Sequence, residues 1–113
     1  MNIEERAMED EKYEGGPRPS GLMDPVIFGR RLRAARIMAG YDRVGDLVDA
    51  LARKTGVHVS ERTAYAIERG EQLPGIDFFM AVIITLNIEG GIDYFLPAMS
   101  AECMAEYNKV TRP

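Results

Sequence analysis

The sequence predicts an all-α fold, and three observations carry that reading. Apolar residues recur at three-four spacing in several stretches, as on one face of a helix. Those stretches are punctuated by cap-forming residues before them or by glycine after them. Nowhere do apolar and polar residues alternate as in a half-buried strand.

The chain opens on an acidic segment. Residues 1–14 hold six acidic and two basic side chains with only scattered apolar ones, and Gly15–Gly21 is rich in glycine and proline. Residues 1–21 therefore read as a solvated, disordered arm and linker. Its candidate role is contact with a partner protein or competition with DNA for a basic face of the chain, and Arg18 is a candidate for a minor groove.

A helical domain is predicted over 22–99. Asp24 and Pro25 open helix one as N-cap and first helical residue. Phe28, Leu32, Ala35 and Ala39 form its buried stripe, and Gly40 ends it. Arg30, Arg31 and Arg33 lie mostly off the stripe and read as a solvated face; Arg36 lies on its border. Asp42 caps helix two, about Arg43 to Thr55, which buries Val44, Leu47, Val48 and Leu51 and stops at Gly56. The link from Gly56 to Val59 is short, so helices two and three must cross steeply, as in a helix-turn-helix.

Helix three is the element to which the rest is subordinate. Ser60 caps it and Gly70 closes it. Only Ala64 and Ile67 face inward, while Glu61, Arg62, Tyr65, Ala66 and Arg69 face the other way. So short a helix with so small an inner face contributes little core. It is better placed to touch something.

Helix four, about Ile76 to Leu86, is apolar nearly all round. Such a helix is covered on more than one side. If Ile76, Phe79, Ile83 and Leu86 face the first three helices, then Phe78, Val82 and Ile84 are left over. With Phe95 and Tyr107 downstream, they predict a two-fold homodimer interface. The rival is a C-terminal helix folded back over helix four in a monomer. Ile92 to Met99 reads as a short fifth helix broken near Pro97. Ser100 caps a sixth in the extension 100–113, with Cys103, Met104, Tyr107 and Val110 on one face.

At 113 residues the chain reads as one domain with tails. Its net charge of −4 argues at first against nucleic acid. The distribution reverses that: residues 28–73 carry +3, between an arm at −4 and a C-terminal part at −3. A lone cysteine, Cys103, excludes an internal disulfide and fits a reducing cytoplasm. The run Phe78 to Ile84 is too short to span a bilayer, and the acidic start does not read as a signal peptide. His58 stands without a cluster of ligating partners, so no metal is expected. No Gly-rich phosphate loop and no nucleophile–base pair is legible, so neither a cofactor nor an enzyme is expected.

The stretches Phe28-Gly29-Arg30-Arg31-Leu32-Arg33 with Arg36 and Gly40, then Thr63-Ala64-Tyr65-Ala66-Ile67-Glu68-Arg69-Gly70 with Pro74, then Leu86-Asn87-Ile88, resemble the lambda-repressor-like helix-turn-helix family. This is the XRE or Cro/repressor type, and the likeness covers about Phe28 to Leu96. The segment from Arg43 to Ser60 is several residues longer than that family's usual one. The resemblance implies a five-helix bundle, here with an added C-terminal helix and an acidic arm. It implies a regulator of transcription, such as a repressor of a bacterium or phage, that binds a palindromic operator in double-stranded DNA as a dimer. By position it implies base reading by Glu61, Arg62, Tyr65 and Ala66, and phosphate contacts by Arg43 and Arg69. Arg62 can fork onto guanine, Glu61 can accept from cytosine N4, and Ala66 can lie beside a thymine methyl. Thr63 is small enough to let a DNA backbone approach, or can bond a phosphate, and Ser60 completes the DNA-facing set. The resemblance also implies an internal ion pair between Arg36 and Glu68. The competing function is a protein-interaction module, an antitoxin or adapter, acting through helix four and the tails.

Overall fold

The structure is a computed structural model that describes residues 22–111. The acidic arm expected over 1–21, Arg18 included, lies outside the described residues, as do residues 112–113. Among the described residues there are five α-helices, one 3-10 helix and no strand. They are α1 (Pro25–Met38), α2 (Val44–Thr55), α3 (Glu61–Glu68), α4 (Ile76–Leu86), the 3-10 helix η1 (Gly91–Ala98) and α5 (Ala101–Thr111). No helix among them is long and apolar enough to cross a membrane.

Local chemistry sets the ends of these elements. The Asp24 carboxylate accepts from the Val26 amide at 2.9 Å, and Pro25 follows it, so α1 starts where its first amides are satisfied. Ala39, expected on the buried stripe, falls just past the last turn and is exposed. Arg43, not Asp42, takes the N-cap position of α2. After α2 the Thr55 hydroxyl donates to the Leu51 carbonyl at 2.7 Å and accepts from the Val57 amide at 3.2 Å. That pair of bonds fixes the five-residue turn leading to α3.

α1 packs on α3 and η1, and α2 packs on α3 and α4. The core between them holds Phe28, Leu32, Leu47, Leu51, Ile67, Val82 and Phe95. Phe95 stacks on Phe28 at 4.4 Å between ring centroids and meets Phe79 edge-on at 5.4 Å. Burying a ring of this size contributes about 1.5–3 kcal/mol. Gly29 makes the α1–α3 contact possible. A Cβ there would stand 2.5 Å from the carbonyl oxygens of both Ile67 and Glu68, closer than atoms can approach.

The expected dimer face needs correction. Phe78, Val82 and Phe95 are buried within the single chain. α4 is rotated about its axis from the expected setting: it packs on α2, and Phe78, Ala81, Val82, Thr85 and Leu86 face inward. Phe79, whose ring meets Phe95 of η1, and Ile83 are partly covered. What α4 leaves open is Ile76, Met80 and Ile84, four residues apart, with Ile76 69% and Ile84 63% exposed. So Ile84 stays outward, while Ile76 moves from the expected core to the surface.

The C-terminal part is joined to the start of the described chain. Met23 and Met99 pair in a single antiparallel bridge, flanked by bonds from Asp24 N–H to Ala98 at 2.7 Å and Ser100 N–H to Leu22 at 3.1 Å. Ser100 caps α5, its hydroxyl accepting from the Cys103 amide at 3.2 Å. No residue of α5 is buried, and Val110, expected on its inner face, is exposed. Tyr107 is half-buried at the edge of an apolar groove lined by Ile76, Phe79, Ile92 and Leu96.

Candidate nucleic-acid interface

α3 is fixed on its inner side and open on its outer side. Ser60 accepts from the Thr63 amide at 3.0 Å, and its hydroxyl donates to that of Thr63 at 3.1 Å. Ala64 and Ile67 are buried. Glu61, Arg62, Tyr65 and Arg69 are exposed, and at these spacings they share one face. Ala66 is half-buried beside them. Thr63 points elsewhere: it is half-buried and borders the turn at Val57 and His58 and the start of α4 at Asp77.

An ion pair forms the floor. Arg36 is buried, and its Nε and Nη2 fork onto the Glu68 carboxylate at 2.7 and 3.1 Å. Its Nη1 donates to the Tyr41 carbonyl at 2.7 Å. With the side chains 6% and 5% exposed, the pair ties the C-terminal ends of α1 and α3 to each other and to the loop before α2. Left single, either charge would be a costly burial.

Above this floor a cleft opens between α1, the start of α2 and the end of α3. Arg33, Arg43, Tyr65 and Arg69 line it, with Asp42 as its acid. Arg36 and Glu68 cancel, so the cleft keeps a cationic balance suited to an anion. Tyr65 and Arg69 belong both to this cleft and to the outer face of α3, with the Arg69 guanidinium 5.7 Å from the Tyr65 ring centre. The two surfaces are therefore continuous.

Arg69 is not idle in the free protein. Its Nε and Nη2 bond the Glu71 carboxylate at 2.8 and 3.3 Å. That hydrogen bond, and the charge behind it, hold the Glu71 carboxyl below its ordinary range and raise the Arg69 guanidinium above its own.

Family models, curated proteins and solved structures return no match to this chain. The geometry alone then sorts the residues.

Arg43, Arg62, Tyr65 and Arg69 line one continuous surface with Glu61, while Ser60 and Thr63 serve the cap. Three participants escaped the sequence reading. Arg33 reads in sequence as part of a solvated face, and only the crossing of α1 over α3 brings it to the cleft. Glu71 shows in sequence only as an acid two residues past Arg69. Gly45, where a Cβ would stand 2.8 Å from Glu61 Oε2, shows in sequence as nothing more than a helical glycine. Arg31 moves the other way. It lies over the Tyr94 ring at 4.3 Å and donates to the Tyr94 carbonyl, while the Tyr94 hydroxyl donates back to the Arg31 carbonyl at 2.9 Å. It clamps η1 to α1 and takes no part in the solvated face. Among the described residues no three His, Cys, Asp or Glu gather as a metal site.

Proposed function

We propose that the chain is a sequence-specific double-stranded DNA-binding regulator of transcription, built as a lambda-repressor-like helix-turn-helix bundle. The observation that carries this reading is the continuity of the outer face of α3 with the arginine cleft. In a chain of net charge −4, a cationic surface that includes an exposed, capped helix is suited to a polyanion. α2 and α3 are the two helices of the motif, and α3 enters the major groove. Arg62 forks onto guanine, Glu61 accepts from cytosine, and Tyr65 and Ala66 pack against base edges. Arg43 and Arg69 hold phosphates and set the orientation, and Arg33 joins them. The likeness to repressors of bacteria and phages supports a cytoplasmic setting and a repressor's role.

The protein works as a homodimer on a palindromic site. Ile76, Met80 and Ile84 on α4, and the neighbouring apolar groove, support this, because a soluble chain rarely leaves such a stripe uncovered. A two-fold pair sets its α3 helices about 34 Å apart, one turn of DNA. A clean 12.6 kDa species in sedimentation at micromolar concentration would defeat the dimer.

Selection from a random duplex pool, followed by affinity across a salt series, tests the DNA reading. The expected result is one enriched palindromic motif and an affinity that falls steeply with salt. No enriched motif and a flat salt response would leave the second reading. That is a protein-interaction module, an antitoxin or adapter, and the same apolar stripe favours it. The acidic arm is a candidate for contact with a protein partner under either reading.

A further inference from the structure

α2 begins without a side-chain cap. Its N-cap residue, Arg43, carries only donors, so it cannot accept from the amides of the first turn. The Arg43 amide itself donates to Asp46 at 3.3 Å, which is half of a capping box. The start of the helix therefore keeps free N–H groups and the partial positive charge that goes with them.

Glu61, the first residue of α3, reaches across to this turn. Its carboxylate rests against Gly45, the second residue of α2. A Cβ on Gly45 would stand 2.8 Å from Glu61 Oε2 and 3.1 Å from its Cδ. Only glycine leaves that space. An exposed glutamate normally samples many rotamers, and ordering it costs entropy. Here the carboxylate lies against the bare Cα of Gly45, beside a helix start whose partial positive charge favours it.

We infer that Gly45 is a specificity-determining positioning residue, which sets how Glu61 meets a base by leaving its carboxylate room against the start of α2. The inference rests on the DNA reading of α3. Gly45 acts through Glu61, so its effect vanishes when Glu61 is removed. It is also separable from folding. Alanine is the better helix former, and the only atoms in its way are the end of a flexible side chain.

The experiment selects motifs from a random duplex pool with four proteins: the parent, Gly45→Ala, Glu61→Ala and the double variant. Thermal melts run alongside. The parent is expected to prefer cytosine at one position of each half-site. Gly45→Ala should weaken that preference by about tenfold while melting at or above the parent temperature. In the Glu61→Ala background, Gly45→Ala should change nothing further. If the parent and Gly45→Ala select the same motif, the inference falls and the DNA reading stands. If the parent selects none, both fall. A motif change that persists without Glu61, or a melting point below the parent's, assigns Gly45 to packing and overturns the inference.

Discussion

α3 has eight residues and α5 has eleven, yet the shorter helix is the better held. α3 buries Ala64 and Ile67, lies against the bare backbone of Gly29, and is joined to α1 through Arg36 and Glu68. α5 buries no residue fully and is held mainly at its start, by Ser100 and the Met23–Met99 bridge. Length does not fix a helix in water; tertiary partners do. A surface that reads geometry must be rigid, and α3 has the supporting side chains for it. α5 has the opposite profile, and under the proposed dimer it is the part free to adjust to a second chain.

The comparison breaks most sharply at the ion pair. Glu68→Ala leaves the Arg36 guanidinium buried without its carboxylate and should cost about 3–5 kcal/mol. Urea denaturation measures it. A curve overlaying the parent would mean that α3 is held by its two apolar residues alone.

Gly29→Ala is next. Its methyl would meet two carbonyl oxygens at 2.5 Å, and backbone cannot swing aside as a side chain can. The overpacking should cost about 1–3 kcal/mol. An unchanged melting point would show that α1 and α3 are not in the close contact described.

The outer face answers to a different measurement. Arg62→Ala should weaken specific DNA binding by about 1–3 kcal/mol and relax one base pair of each half-site, with the fold intact. Arg69→Ala should weaken all sequences alike. Equal losses on cognate and scrambled duplexes for both variants would remove α3 as the reader.

Truncation after Met99 tests the other helix. Since α5 buries no residue, the remaining fold should keep its stability to within about 1 kcal/mol. The dimer should loosen and operator binding weaken with it. A truncated chain that unfolds would show that α5 is part of the core after all.

How much of this was legible in the sequence follows the range of the interactions. Caps and stops are local, so the bounds of α1, α3 and α4 could be read from Asp24, Ser60 and the apolar runs. The inner face of α3 was legible because two residues at three-residue spacing leave little choice. α4 was not, because a helix apolar all round has no stripe to set its rotation. Its setting depends on α2, and that displaced Phe78 and Val82 from the surface to the core. Phe95 was not legible for a related reason: η1 is a 3-10 helix containing Pro97, so no α-helical stripe marks its inner side. The arginine cleft was half legible. Arg43 and Arg69 followed from position along the motif, whereas Arg33 needed the crossing of two helices.

The smallest effect concerns the acid beside the cleft. Glu71 bonds the same guanidinium that is proposed to hold a phosphate, and both side chains are more than half exposed. A phosphate arriving at Arg69 must displace that carboxylate or accept its charge nearby. Glu71→Gln keeps the shape and removes the charge. It should raise affinity on all sequences alike and steepen the salt slope by about one per half-site, as one more full phosphate contact would. The pH dependence has a definite sign. The Glu71 carboxyl is held below its ordinary range, so the pair is complete above that range and is lost only as pH falls through the lowered value. The ratio of variant to parent affinity should therefore stay constant between about pH 6 and 8, and shrink only in acid, where the protonated parent becomes neutral like the variant. A ratio that already shrinks near neutrality would place the titrating group elsewhere. An unchanged salt slope would show that Glu71 orients Arg69 instead of competing for it.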